Sequence, residues 1–149
     1  MTPVAIALGS NLGDREGSLR AAARRAAAFI HGLRISGFHD TAPVGVGSQP
    51  RFLNAAAVGA TSLDAHALLA ALLDIERALG RERPFPGAPR TVDLDLILFG
   101  DAVIDEPGLV VPHPRFRERA FVLAPLAEIA ADWVDPETGL TVAGLLGRL

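Results

Sequence analysis

Cysteine and lysine are both missing from these 149 residues, and each absence excludes different chemistry. Without cysteine there is no disulfide, no thiolate nucleophile and no zinc–thiolate site, which suits a reducing cytosol. Without lysine there is no Walker lysine, Schiff base or lysine general base. All fourteen basic side chains are arginine, so any grip on phosphate must use guanidinium forks. No apolar run approaches the roughly 20 residues of a membrane span, and no basic-then-apolar leader opens the chain. The expectation is therefore a cytoplasmic protein with no membrane partner. A net charge of −3 gives no general attraction to a polyanion, so no nucleic acid partner is expected either.

What remains is an ordinary globular composition. Half the residues are apolar, 21% are charged, and the mean hydropathy is +0.32. A chain of this length can bury a sizeable core, so residues 1–149 are expected to form one domain. Val4–Leu8 reads as a strand closed by Gly9-Ser10-Asn11. Asp14 is placed to cap a helix running to about Ile30, with Leu19, Ala22, Ala23, Ala26 and Ile30 on one side. Leu33–His39 reads as a second strand, residues 41–50 as a Gly- and Pro-rich loop, and Phe52–Thr61 as a third strand. Ser62 is then the expected cap of an amphipathic helix carrying Leu68, Leu72, Ile75 and Leu79, with Gly80 as its stop. A second loop spans Arg81–Pro89. It leads into strand Val92–Phe99, a short pairing segment around Val103–Ile104, and a helix over Ala120–Ala130 despite Pro125. The order βαββαβ with a C-terminal addition predicts a ferredoxin-like α+β sandwich, its helices on one sheet face and its other face open to a ligand.

Asp93 and Asp95 carry the clearest chemical signal. They interrupt the apolar run Val92–Phe99 at a spacing of two, so both project from one face of the strand while Leu94, Leu96 and Leu98 face the core. Like charges on a half-buried strand repel unless something cationic sits between them. Mg²⁺ takes one or two carboxylates together with phosphate oxygens and water, and two such ions can clamp the oxygens of an in-line phosphoryl displacement. The four histidines are scattered without ligand spacing, which disfavours zinc. Arg81, Arg83 and Arg90 bracket the second loop beside this strand, where they could close on a triphosphate. Such an Arg-x-Arg, alone, is more often a solvated surface feature. His113 and Arg119 follow one turn further on. Phe52 and Asn54 share a face at the start of the third strand, and Phe121 opens the last helix. A flat heterocycle with an amide-like edge would satisfy Asn54 and stack on the two rings.

Taken together the motifs resemble one family, the 6-hydroxymethyl-7,8-dihydropterin pyrophosphokinases of folate biosynthesis. The strongest block is Gly87-Ala88-Pro89-Arg90-Thr91-Val92-Asp93-Leu94-Asp95-Leu96-Ile97. It is supported by Ala7–Gly13, Phe52–Ala56, Ile75-Glu76 with Leu79-Gly80-Arg81, and Val111-Pro112-His113 with Arg119 and Phe121. The resemblance implies transfer of pyrophosphate from ATP to the pterin alcohol, leaving AMP. It assigns two Mg²⁺ to Asp93 and Asp95, and makes Arg81 and Arg90 loop arginines that close on the phosphates. It further implies that Arg83, His113 and Arg119 contact ATP, that Glu76 lies at the ATP site, and that Leu96 meets adenine through its backbone. Phe52 and Phe121 would sandwich the pterin, while Thr41, Asn54 and the Val44 backbone read its polar edge. Gly87 stands where the family often has tryptophan, with Phe85 the nearest ring, and Pro114 stands where an aromatic residue often follows the histidine. A monomer is expected. Two alternatives stay open: another Mg-nucleotide-dependent transferase, or a non-catalytic ferredoxin-like module that binds a small molecule.

Overall fold

The computed structural model describes residues 1–41, 51–80 and 91–149. Strands β1 (Thr2–Ser10), β2 (His31–Ile35), β4 (Phe52–Thr61) and β5 (Asp93–Phe99) form an antiparallel sheet in the order β2-β4-β1-β5. The short β3 (His39–Thr41) pairs with the beginning of β4. Helices α1 (Arg15–Ala26) and α2 (Ala65–Leu79) connect β1 to β2 and β4 to β5, the double split βαβ of a ferredoxin-like sandwich. The expected fold class therefore holds.

Both helices pack on one sheet face. Leu19, Ala22 and Ala26 of α1 and Leu68, Leu72 and Ile75 of α2 bury against Val4, Ile6, Leu8, Ala55, Ala57, Leu94 and Leu96. Helix α1 starts where Asp14 accepts the Gly17 N–H at 2.9 Å. It stops at Ala26 rather than Ile30, since residues 27–30 form turns that hand the chain to β2 through Gly32 at φ +64°. The cap of α2 is Asp64 and not Ser62: its carboxylate accepts the Ala67 N–H at 2.8 Å.

Three further expectations need correction. Leu98 does not share a face with Leu94 and Leu96. The β1–β5 register slips between Ala5 and Ile6, where Ala5 faces Leu98 and Ile6 faces Leu96, leaving Ile97 as an extra residue. That bulge reverses the alternation, and Ile97 and Leu98 bury together in a second core. The second sheet face, moreover, is only partly open. Helix α3 (Ala120–Ala130), a 3₁₀ turn (Phe116–Glu118) and the short α4 (Val142–Leu146) cover it with Phe116, Val122, Leu123, Leu126 and Leu145. They pack on Ala5, Ala7, Ala56 and Val58, whose small size lets a helix approach. The stretch expected as one strand, Leu33–His39, is divided between β2 and β3. A hairpin of β6 (Ile104–Glu106) and β7 (Leu109–Val111) follows β5.

Candidate active site

The end of that second face that carries Asp93 and Asn54 is built by register. Gly9 of β1 faces Asp93 of β5 on one side and Asn54 of β4 on the other, and Asn54 faces His39 of β3. Directly opposed residues point to the same side of a sheet, so Asp93, Gly9, Asn54 and His39 form one row across four strands. The next row is Asp95, Ala7 and Ala56, and beyond Asn54 lies the pair Thr41 and Phe52. Strands lie about 4.8 Å apart, so roughly 10 Å separates the strand bearing Asp93 from that bearing Asn54.

The middle of that span carries no side chain, because position 9 is a buried glycine. A Cβ there would stand 3.1 Å from Asn54 Oδ1 and 3.9 Å from Phe52 Cδ1. The role of Gly9 as the floor between amide and carboxylate was not assigned from sequence. A glycine inside an apolar strand is itself the signal, since it weakens a strand and marks close approach. Asn54 is 7% exposed, and its Nδ2 donates to Thr41 Oγ1 at 2.6 Å. The amide is thereby oriented, with Oδ1 turned toward Gly9. Thr41, Phe52 and Asn54 are brought together as expected.

Asp93 and Asp95 are exposed on this face, as their spacing implied. Glu76 reaches the strand from its outer edge: 8% exposed, it accepts the Leu94 N–H on Oε2 at 2.6 Å. It thus ties down the segment between the two aspartates. Period two turns the backbone of Leu96 to the same outer edge as that of Leu94, while its side chain is buried in the helix-side core. Ser10 Oγ donates to the Thr91 carbonyl at 2.6 Å, joining the end of β1 to the entry of β5.

His113 is held to the same edge, donating its N–H to the Ile97 carbonyl at 3.0 Å. Burial pushes its pKa below the ordinary value, the Asp95 carboxylate opposes this, and Arg119 and Arg115 reinforce it. Its Nδ1 accepts the Arg115 N–H at 3.2 Å, which leaves the proton of the neutral ring on Nε2. The Arg119 guanidinium lies 5.5 Å from the Phe121 ring centroid at the start of α3. Cations, a neutral imidazole and carboxylates therefore converge at one end of the face. Arg81, Arg83, Arg90 and Val44, with Phe85 and Gly87, lie outside the described residues.

Among the described residues no group of three or more His, Asp or Glu side chains is placed to hold an ion. Two exposed aspartates are too few for Ca²⁺ or structural zinc, but suit Mg²⁺, which takes its remaining ligands from phosphate and water.

The family model of 7,8-dihydro-6-hydroxymethylpterin-pyrophosphokinase (HPPK) matches residues 5–131. The 2-amino-4-hydroxy-6-hydroxymethyldihydropteridine pyrophosphokinase of Bacillus subtilis is 48% identical over 130 residues, covering 83% of this chain and 75% of its own. The enzyme of that name from Methylorubrum extorquens is 44% identical over 152 residues, covering all of this chain and 94% of its own. A mitochondrial folate synthesis bifunctional protein of Arabidopsis thaliana is 46% identical over 136 residues. There the match covers 91% of this chain but only 24% of the plant protein. In solved structures, a Plasmodium falciparum HPPK-DHPS superposes with a TM-score of 0.80 at 13% identity, over 99% of this chain and 45% of that one. That likeness speaks for the fold alone. On the family match and these identities, the chain belongs to the 7,8-dihydro-6-hydroxymethylpterin-pyrophosphokinase family.

Proposed function

We propose that this chain transfers the pyrophosphate group of ATP to the hydroxymethyl oxygen of 6-hydroxymethyl-7,8-dihydropterin. The carrying observation is the row Asp93–Gly9–Asn54, an oriented amide and an exposed carboxylate on either side of a floor from which Gly9 projects no side chain. A planar bicyclic heterocycle lying on that floor offers its polar edge to Asn54 and its exocyclic alcohol to the aspartates. The new bond joins the alcohol oxygen to the β-phosphorus, and the bond from that phosphorus to the α,β-bridging oxygen breaks. Its electron pair leaves with AMP, and the hydroxyl proton passes to solvent. No covalent nucleophile is required, since positioning and charge neutralisation carry such transfers.

Asp93 and Asp95 are the residues that would hold Mg²⁺, two ions in this reading. When bound, the metal neutralises phosphate charge and favours the alkoxide-like oxygen. Arg119 and His113 contact the polyphosphate, joined by Arg81, Arg83 and Arg90. Glu76 and the Leu96 backbone serve the nucleotide side. Phe52 and Phe121 stack on the pterin, and Thr41, Asn54 and the Val44 backbone read its edge. The chain acts as a single-domain monomer in the cytoplasm. No helix among the described residues is long and apolar enough to cross a membrane.

The test is to incubate the protein with MgATP and the pterin alcohol and separate the nucleotides. AMP should form only when both substrates are present. ADP, or no nucleotide consumption, would refute the reading. Chelation should abolish turnover and added Mg²⁺ restore it. Asp95→Ala should lower kcat by about a hundredfold or more while pterin affinity changes little. Asn54→Ala should do the reverse, weakening the pterin at least about tenfold because a reading group is lost.

A further inference from the structure

Between β2 and β3 the chain carries one residue more than its partner strand. Ile35 faces Ala57 and His39 faces Asn54, so four steps on one side match three on β4. Such a bulge leaves one backbone N–H out of the ladder. Ser36 stays in register: its N–H donates to the Ala56 carbonyl at 2.8 Å, and its Oγ accepts the Ala56 N–H at 2.9 Å. The displaced group is the Gly37 N–H, and it donates to Glu128 Oε1 of α3 at 2.8 Å. The other carboxylate oxygen, Oε2, lies 2.6 Å from His39 Nε2. Glycine permits this approach, since a Cβ on residue 37 would stand 3.3 Å from Oε1. The Gly37 N–H and then His39 hold the Glu128 carboxyl below its ordinary range, so it is an anion at neutral pH.

The two elements that this carboxylate joins both carry pocket residues. β3 supplies Thr41, whose hydroxyl orients Asn54. α3 supplies Phe121, seven residues before Glu128 and so on nearly the same side of the helix. A slip of β3 by one residue would turn His39 and Thr41 to the opposite sheet face and deprive Asn54 of its partner.

We infer that Glu128 is a positioning residue for the heterocycle pocket, its carboxylate latching β3 to α3 so that Thr41 stays beside Asn54 and Phe121 stays at a fixed distance from Phe52. The inference rests on the activity proposed above.

The test is a titration of 6-hydroxymethylpterin, followed by its fluorescence, in the presence of Mg²⁺ and a non-hydrolysable ATP analogue. Affinity for the analogue is measured separately. Glu128→Ala should weaken the pterin about tenfold or more, leaving the nucleotide within about twofold. Glu128→Gln keeps an acceptor for Gly37 and a partner for His39, and should restore pterin affinity to within about threefold of wild type. Gly37→Ala, which crowds the same oxygen, should weaken the pterin in the same selective way. This variant decides the matter if Glu128→Ala does not fold. Unchanged pterin affinity in the alanine variants, or equal weakening of both ligands, would overturn the inference, because a merely structural residue would not select one substrate. Failure of the wild-type protein to bind the pterin at all would instead sink the proposed activity.

Discussion

His113 is the residue at which the charges of the site can be read directly. Burial depresses its pKa, the Asp95 carboxylate raises it, and two arginines lower it. The depression prevails, so the folded protein favours the neutral ring more than the unfolded chain does. That preference contributes stability above the ordinary histidine pKa of about 6.5, and the contribution is lost as pH falls through the lower folded value. In metal-free buffer, the His113 ring followed by NMR should titrate with a midpoint below 6.5. Asp95→Asn should move the midpoint lower still, because the one opposing charge has gone. A midpoint that does not respond to Asp95 would mean that the two groups do not face each other. At this scale the sequence was informative wherever a residue's placement follows from its own face and spacing. Asp93, Asp95, Phe52 and Asn54 are such cases. Gly9 was missed because its contribution is the absence of a side chain between two strands distant in sequence.

Strand β5 shows how far an element's pattern can be trusted. Alternation predicts the exposed Asp93 and Asp95 and the buried Leu94 and Leu96, and fails at Leu98. The cause is the extra residue at Ile97, which a period-two reading cannot anticipate. The division of Leu33–His39 has the same origin, since the bulge at Gly37 depends on a carboxylate some ninety residues away. Among the described strands β5 is also the last of this sheet, and Glu76 meets its outer edge by accepting the buried Leu94 N–H. Removing that acceptor leaves a buried donor unsatisfied. Glu76→Ala should therefore cost about 1–3 kcal/mol in denaturant unfolding and speed hydrogen exchange at the Leu94 amide. Glu76→Gln, which retains an oxygen acceptor, should lose less. Were Glu76→Ala to weaken nucleotide binding with no loss of stability, Glu76 would be a ligand contact and not the anchor of the strand.

The described residues form two cores on one sheet, and the second core decides how much of the second sheet face the C-terminal helices cover. Residues 116–149 supply most of that second core, and a fully buried aspartate anchors them. Asp135 has no exposed surface, yet its carboxylate takes bonds from Arg117 at 2.5 and 3.0 Å, the Thr138 hydroxyl at 2.8 Å and the Glu137 N–H at 3.1 Å. Sequence alone did not single out this group, because its burial is created by partners that only the folded C-terminal segment assembles. Burial pushes its pKa up, and the Arg117 guanidinium, the Thr138 hydroxyl and the Glu137 N–H together overcome this and hold it below the ordinary carboxylate value. A carboxyl depressed on folding stabilises the protein above its unfolded pKa of about 3.9, and that stabilisation fades as pH falls through the folded value. Asp135→Asn should therefore cost about 2–4 kcal/mol at pH 7, somewhat under the usual figure for a broken buried pair because Arg117 keeps a quarter of its side chain in water. The gap between wild type and variant should narrow as denaturant titrations are repeated from pH 5 down to pH 2.5. A gap that stayed constant across that range would show that the Asp135 charge contributes nothing, and that the second core is held on the sheet by apolar packing alone.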